Sequence, residues 1–158
     1  NGAVTNAGMD VGGLYFDDMP VGYTYETGRR TLPRDEVVGF AEKWDPQEFH
    51  LDEEAGRASP YGGLIASGFH TLVTAYRLTL EAGIWTEASM GSPGMEHVRW
   101  LLPVRPGDTL RVKATVTASR PSASRPDRGR TTILYEVLNQ KDEIVMSYNA
   151  IHILRRRA

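Results

Sequence analysis

The sequence of 158 residues contains no cysteine, and this absence excludes disulfides, thiol nucleophiles and thiolate ligands for metals. Long apolar runs are absent as well, because no window holds the roughly 18 apolar residues that a membrane span needs. Neither charge predominates: 18 basic and 20 acidic side chains leave a net charge of −2, which gives no electrostatic reason to bind nucleic acid. We therefore expect a protein that binds neither a membrane nor a nucleic acid.

The start of the chain lacks the features of a targeting segment. Its first ten residues, NGAVTNAGMD, do not show the charged and then apolar order of a secretory signal, so the expected location is the cytoplasm. Met9 fits a native start, and residues 1–9 are expected to be an N-terminal extension or residues added for expression. The remainder has no internal repeat and no flexible linker. Its length allows a buried core without covalent staples, and the sequence predicts one domain over residues 10–156.

Two segments in the first half of the chain have helical patterns. In LPRDEVVGFAEKW, residues 32–44, apolar side chains recur on one helical face. Pro46 ends this helix, because the residue before a proline is pushed out of the α region, and that residue is Asp45. The second segment, residues 62–84, is apolar around nearly its whole circumference, which is typical of a buried helix.

Alternating and β-branched residues predict strands elsewhere. One strand is expected over residues 22–32, ahead of the helices, and four more are expected over residues 94–104, 109–120, 131–140 and 143–154. The 109–120 strand has one apolar face made of alternate residues, namely Leu110, Val112, Ala114, Val116 and Ala118. This order of elements predicts an α+β domain in which a five-stranded antiparallel sheet wraps around the long central helix.

The element order resembles the hot-dog fold, and a motif makes the resemblance more specific. MaoC-like acyl dehydratases and (R)-specific enoyl-CoA hydratases carry D-x-N-P-x-H before the central helix and a glycine in the first turn of that helix. This sequence has DPQEFH from Asp45 to His50 and then GGLIASG ending at Gly68. Gln47 and Glu48 stand where the family has asparagine and proline, so the loop inside the motif departs from the family pattern.

The resemblance implies an acyl-CoA hydratase or dehydratase, a hydro-lyase that interconverts trans-2-enoyl-CoA and (R)-3-hydroxyacyl-CoA. Adding water to an unsaturated thioester needs a base, an acid and positive potential at the carbonyl oxygen. Asp45 and His50 would hold the water and carry both proton transfers as catalytic residues. Gly68, whose amide begins the helix, would bind the thioester oxygen, with Ser67 as the neighbouring substrate-binding residue. The expected partner is an acyl-CoA or acyl-carrier thioester, with no metal and no cofactor apart from the coenzyme A of the substrate.

Two other functions remain open on the sequence alone. A hot-dog acyl-CoA thioesterase would hydrolyse the thioester instead of hydrating the double bond. A non-catalytic acyl-CoA-binding domain would result if Gln47 and Glu48 had disabled the pair of Asp and His. His70 is expected to pack or bond locally and not to act in catalysis. His97 and His152 lie in predicted strands without partners at metal-ligand spacing, so no metal site is expected.

The predicted sheet also implies an assembly. A single five-stranded sheet around an apolar helix leaves strand edges and apolar surface uncovered. We therefore expect a homodimer in which the two sheets continue into one and the central helices lie side by side.

Overall fold

The structure, a computed structural model, describes residues 13–157. The expected extension at residues 1–9 lies outside the described residues and stays a prediction. A 3-10 helical turn at Phe16–Asp18 comes first. The remaining elements, in chain order, are β1 (Thr24–Glu26), β2 (Arg30–Thr31), α1 (Arg34–Trp44), α2 (Glu48–Leu51), α3 (Glu53–Ala58), α4 (Gly68–Ala82), β3 (Gly94–Trp100), β4 (Thr109–Pro121), β5 (Arg128–Leu138) and β6 (Ile144–Arg155). None of the helices in the described range is long and apolar enough to cross a lipid bilayer.

The strands form an antiparallel sheet of six strands in the order β1, β4, β5, β6, β3, with β2 also pairing with β4. The sequence predicted five strands, and the difference lies in residues 22–32. There the Thr27 hydroxyl accepts a hydrogen bond from the Val112 N–H of β4 at 2.9 Å, in place of a main-chain carbonyl. Because this side-chain bond interrupts the ladder, the single expected strand becomes β1 and β2.

The alternation along β4 is confirmed over its first half and wrong at its end. The buried residues there are Leu110, Val112, Ala114 and Val116. Ala118 is exposed, although the pattern placed it on the same buried face. A β-bulge between Val116 and Ala118 is the cause, because the extra residue reverses which side chains face the core.

The central helix α4 packs against the sheet with one face. Its buried residues on that face include Thr71, Thr74, Ala75, Leu78 and Thr79. On the opposite face Phe69, Val73 and Tyr76 are 58%, 49% and 42% exposed. The expectation that this helix is buried all round is therefore wrong for a single chain, because the described elements cover one side of it.

The same helix is shorter than the sequence predicted, since it begins at Gly68 and not at residue 62. Residues 62–67 form an irregular segment that bonds to distant parts of the chain. The Ile65 N–H donates to the Phe49 carbonyl at 3.1 Å, and the Ala66 N–H donates to the Val104 carbonyl at 2.7 Å. These non-local bonds replace the helical bonds that the apolar pattern favoured, and they hold the segment beside α2.

Candidate active site

The Asp45 carboxylate lies where α1 ends. Asp45 has φ −152° and ψ 67°, outside the helical region, and its N–H closes the last turn on the Ala41 carbonyl. Pro46 therefore ends the helix as the sequence predicted. One short turn later, α2 carries the His50 imidazole back toward this carboxylate, so that Nε2 of His50 lies 3.3 Å from Oδ2 of Asp45.

The His50 ring has a fixed orientation in a buried position. Its Nδ1 lies 2.8 Å from the Ile65 carbonyl oxygen. Because a carbonyl can only accept, Nδ1 carries a hydrogen and the other ring nitrogen, Nε2, faces Asp45. Nε2 is therefore the ring nitrogen that can exchange a proton with a group held beside the carboxylate.

The two oxygens of the Asp45 carboxylate have different donors. The Ser67 hydroxyl donates to Oδ2 at 2.7 Å, and the Gln47 side-chain amide donates to Oδ1 at 2.6 Å. Burial raises the pKa of Asp45, but the hydrogen bonds from Gln47 and Ser67 and the interaction with the His50 ring lower it, and together they hold the pKa below its ordinary value. Asp45 is therefore a carboxylate at neutral pH.

Ser67 and Gly68 begin α4 directly beside the carboxylate. Ser67 is the N-cap, and its Oγ accepts a hydrogen bond from the Phe69 N–H at 3.2 Å. Ser67 donates its hydroxyl hydrogen to Asp45. A direct hydrogen bond from Ser67 to the substrate therefore stays a prediction. Among the described residues, the N–H of Gly68 has no hydrogen-bond acceptor, as expected for the first residue of a helix.

The Trp100 side chain packs directly against Gly68, so a larger residue at position 68 would have to displace the indole. A Cβ added at Gly68 would lie 2.5 Å from Nε1 of the indole, which is closer than atoms can approach. The same Nε1 donates a hydrogen bond to the Gly68 carbonyl at 2.8 Å. The indole therefore occupies the space that any larger side chain at position 68 would need.

One cavity of about 450 Å³ is lined by Asp45, Gln47, His50, Gly68 and Trp100, and Ser67 is fully buried and not among its lining residues. Asp45, His50 and Gly68 are on its wall together. Most of the other lining side chains are apolar or aromatic, and they include Phe49, Tyr61, Ile65, Phe69, Trp100, Leu101, Leu102, Val104 and Val145. Val104 and Val145 are buried, whereas Trp100 and Leu101 are about half exposed, so the cavity has an apolar floor and an open rim.

The other histidines lie outside this cavity. The His70 ring stacks on Phe40 with centroids 4.6 Å apart, and its Nε2 lies 3.6 Å from a Glu36 oxygen. His152 is buried in the core and bonds through Nε2 to the Tyr135 hydroxyl at 2.8 Å. Within residues 13–157, no group of three or more His, Asp or Glu side chains is arranged to hold a metal ion.

Three features of the site had no signal in the sequence that we could use. The Ile65 carbonyl orients His50 from 15 residues away, and the Trp100 indole reaches Gly68 from 32 residues away. The contact of Gln47 with Asp45 was also not predicted, although an amide at this position is what the asparagine of the family motif would supply. The contacts of Ile65 and Trp100 depend on the tertiary fold and are invisible to local patterns, whereas Gln47 lies two residues from Asp45.

Comparison with known proteins establishes the family. The model of the MaoC like domain matches residues 18–137. A MaoC-like dehydratase from Rhodospirillum rubrum, known from its crystal structure, is 40% identical and superposes with a TM-score of 0.87, covering 92% of this chain and 99% of that chain. The chain therefore belongs to the MaoC-like dehydratase domain family.

Two further proteins are similar to this chain. Protein MaoC from Klebsiella aerogenes is 33% identical over 102 residues, which is 64% of this chain but 30% of that protein. The R-hydratase PhaJ1 from Pseudomonas aeruginosa is 21% identical, with a TM-score of 0.68 over 91% of this chain and 86% of that one, and shares the fold. The antiparallel sheet and central helix are those of the hot-dog fold, which confirms the predicted fold class.

Proposed function

We propose that this protein is a hydratase or dehydratase that interconverts trans-2-enoyl and (R)-3-hydroxyacyl thioesters of coenzyme A or an acyl carrier. The observation that carries the proposal is the convergence of three groups on one largely apolar cavity: the Asp45 carboxylate, Nε2 of His50 and the N–H of Gly68, which has no acceptor among residues 13–157. Membership of a dehydratase family supports it, as does the name of a relative with the same fold, an R-hydratase.

The proton transfers are assigned to Asp45 and His50. Their facing atoms, Oδ2 and Nε2, are 3.3 Å apart and both accept hydrogen bonds when the carboxylate is ionised and the ring is neutral. A water that donates to both would be held with its oxygen lone pair free to attack. As that oxygen bonds to carbon three of the substrate, one water proton passes to the pair, and a proton from the pair goes to carbon two on the same face. The net change is addition of one water, and the pair ends in its starting protonation state.

We assign to the N–H of Gly68 the stabilisation of the negative charge that develops on the thioester oxygen. This N–H belongs to the first turn of the 15-residue helix α4, where unpaired amides and the helix dipole favour an anion. In other enzymes the loss of one such donor lowers kcat by about a hundredfold to a thousandfold. The apolar side chains around the cavity would hold the acyl chain and keep bulk water from the reacting carbon atoms.

We also propose that the chain works as a homodimer. Within the described residues, β3 is an edge strand that pairs with β6 on one side. The exposed face of α4, with Phe69, Val73 and Tyr76, adds apolar surface of the kind that partners cover. A second copy joined along these features would extend the sheet and bury that helix face.

The direct test is an assay with crotonyl-CoA that follows two signals in the same sample. Loss of the enoyl absorbance without release of free thiol is the expected result, and the product should be 3-hydroxybutyryl-CoA of R configuration. Release of free thiol at the rate of substrate loss would instead indicate a thioesterase. Tight binding of acyl-CoA without turnover of any enoyl thioester would indicate a non-catalytic binding domain and would contradict the proposal.

A further inference from the structure

Trp100, the last residue of β3, is packed onto the first turn of α4. Its indole N–H donates to the Gly68 carbonyl at 2.8 Å, and its ring meets the Phe69 ring edge-on with centroids 5.8 Å apart. The indole also occupies the space beside the Gly68 Cα, as the 2.5 Å approach to an added Cβ shows. The contact therefore joins the edge of the sheet to the start of the central helix, at the wall of the candidate active site.

The peptide group between Gly68 and Phe69 is held at both of its polar ends. The Trp100 indole N–H donates to the carbonyl of this peptide group, which belongs to Gly68. The Ser67 hydroxyl oxygen accepts from the N–H of the same peptide group, which belongs to Phe69, at 3.2 Å. A peptide group held at both ends has one orientation, and this fixes the direction of the neighbouring N–H of Gly68. Ser67 in turn donates to Asp45 at 2.7 Å, so one chain of bonds runs from the indole to the carboxylate.

We propose that Trp100 is a positioning residue that aims the Gly68 N–H at the thioester oxygen and holds it in register with Asp45. This inference rests on the proposed hydration reaction and adds to it a residue that neither the motif nor the family comparison singles out. Catalytic groups must be held within about 0.5 Å of the productive geometry, because a displacement of about 1 Å can lower the rate roughly a hundredfold. A side chain that locks the donor peptide should therefore act on turnover more than on substrate binding.

The first test uses Trp100→Phe, which keeps an aromatic ring and removes the N–H donor. We expect kcat for crotonyl-CoA to fall about tenfold, less than the hundredfold or more that follows direct loss of an oxyanion donor, with KM changed less than about threefold. Trp44→Phe is the matched control, because Trp44 is 65% exposed and does not line the cavity. It should keep the wild-type kcat. An unchanged kcat in Trp100→Phe, or a raised KM at constant kcat, would overturn the positioning role.

A second measurement separates this inference from the proposed reaction. Butyryl-CoA, which has no double bond to hydrate, is titrated to saturation into ¹⁵N-labelled wild-type protein and Trp100→Phe. The ligand-induced shift of the Gly68 amide resonance should be large in the wild type and reduced at least twofold in the variant. If the wild type fails to hydrate crotonyl-CoA, the proposed reaction is wrong, and this amide shift alone then decides whether Trp100 positions the donor. Equal shifts in the two proteins would reject that role.

Discussion

At the scale of single residues, the departures from the family motif have opposite consequences. Gln47 keeps an amide at the position of the family asparagine, and that amide bonds Oδ1 of Asp45. Glu48, in place of proline, is exposed, and no side-chain bond joins it to the described residues. The structure thus gives Gln47 a place in the site and leaves Glu48 in solvent.

This difference predicts distinct pH–rate profiles for two neighbouring substitutions. The bond from Gln47 lowers the pKa of Asp45, so Gln47→Ala should raise it. Because the carboxylate form is the active one, the acid limb of the kcat/KM profile for crotonyl-CoA should move to higher pH in Gln47→Ala. Glu48→Ala is the control and should leave the profile in place. A profile that moves with Glu48→Ala and not with Gln47→Ala would reverse these assignments.

The buried His152 makes the free energy of unfolding depend on pH. Burial lowers the pKa of this histidine from 6.5 to about 4. The unfolded chain therefore takes up a proton at a higher pH than the native protein does, and the free energy of unfolding falls as pH drops from 6.5 to about 4. The loss amounts to about 3 kcal/mol across that window; above it this group has no effect on stability, and below it the full loss persists at a constant value.

Urea unfolding of His152→Gln at several pH values checks this expectation. The variant should lose stability less steeply than the wild type between pH 6.5 and about 4. Tyr135→Phe removes the hydroxyl bonded to His152 and leaves the ring buried, so it should keep the wild-type slope. Parallel slopes for wild type and His152→Gln would show that His152 does not titrate differently on folding.

At the scale of elements, the sequence predicted those helix and strand boundaries that depend only on neighbouring residues. The end of α1 follows from Pro46, whereas the apolar pattern placed the start of α4 at residue 62 and not at Gly68. The helices α2 and α3, with four and six residues, are too short to show a helical period. The bulge after Val116 and the side-chain bond of Thr27 arise between strands, so no pattern within one strand reveals them.

The arrangement of the elements also determines which residues of the candidate site could be predicted from the sequence. Asp45, His50 and Gly68 were assigned from the resemblance to the family motif, and the structure brings all three to one cavity. The groups that orient them come from elsewhere in the chain: Ile65 from the segment before α4 and Trp100 from the end of β3. Partners of this kind are chosen by the packing of elements, which a single sequence does not encode locally.

The cap of α3 gives a prediction for an element as a whole. Asp52 is the N-cap of this helix, and its carboxylate accepts from the Ala55 N–H at 3.0 Å. Asp52→Ala should lower the free energy of unfolding by about 1 kcal/mol, the usual cost of a lost N-cap. Glu54→Ala in the same helix serves as the control, because its side chain is exposed, and should change stability by less than about 0.5 kcal/mol. Both values are measured by urea denaturation.

At the scale of the whole molecule, the exposed face of α4 and the free edge of β3 predict a dimer. Light scattering at micromolar concentration should give twice the mass of the 17.5 kDa chain. Val73→Asp places a charge on the helix face and should shift the protein toward monomer. Val21→Asp is the matched control at an apolar residue that is 62% exposed elsewhere. A monomeric wild-type protein would contradict the proposed assembly.

The central claim is that Asp45 and His50 act together on one water molecule. It is tested most directly by kcat/KM for crotonyl-CoA in Asp45→Asn, His50→Ala and the double variant. Each single substitution should lower kcat/KM by about a hundredfold or more, and the double variant should be little worse than either one, because both residues serve the same proton transfers. Losses that multiply in the double variant, or single variants with nearly full activity, would contradict the account.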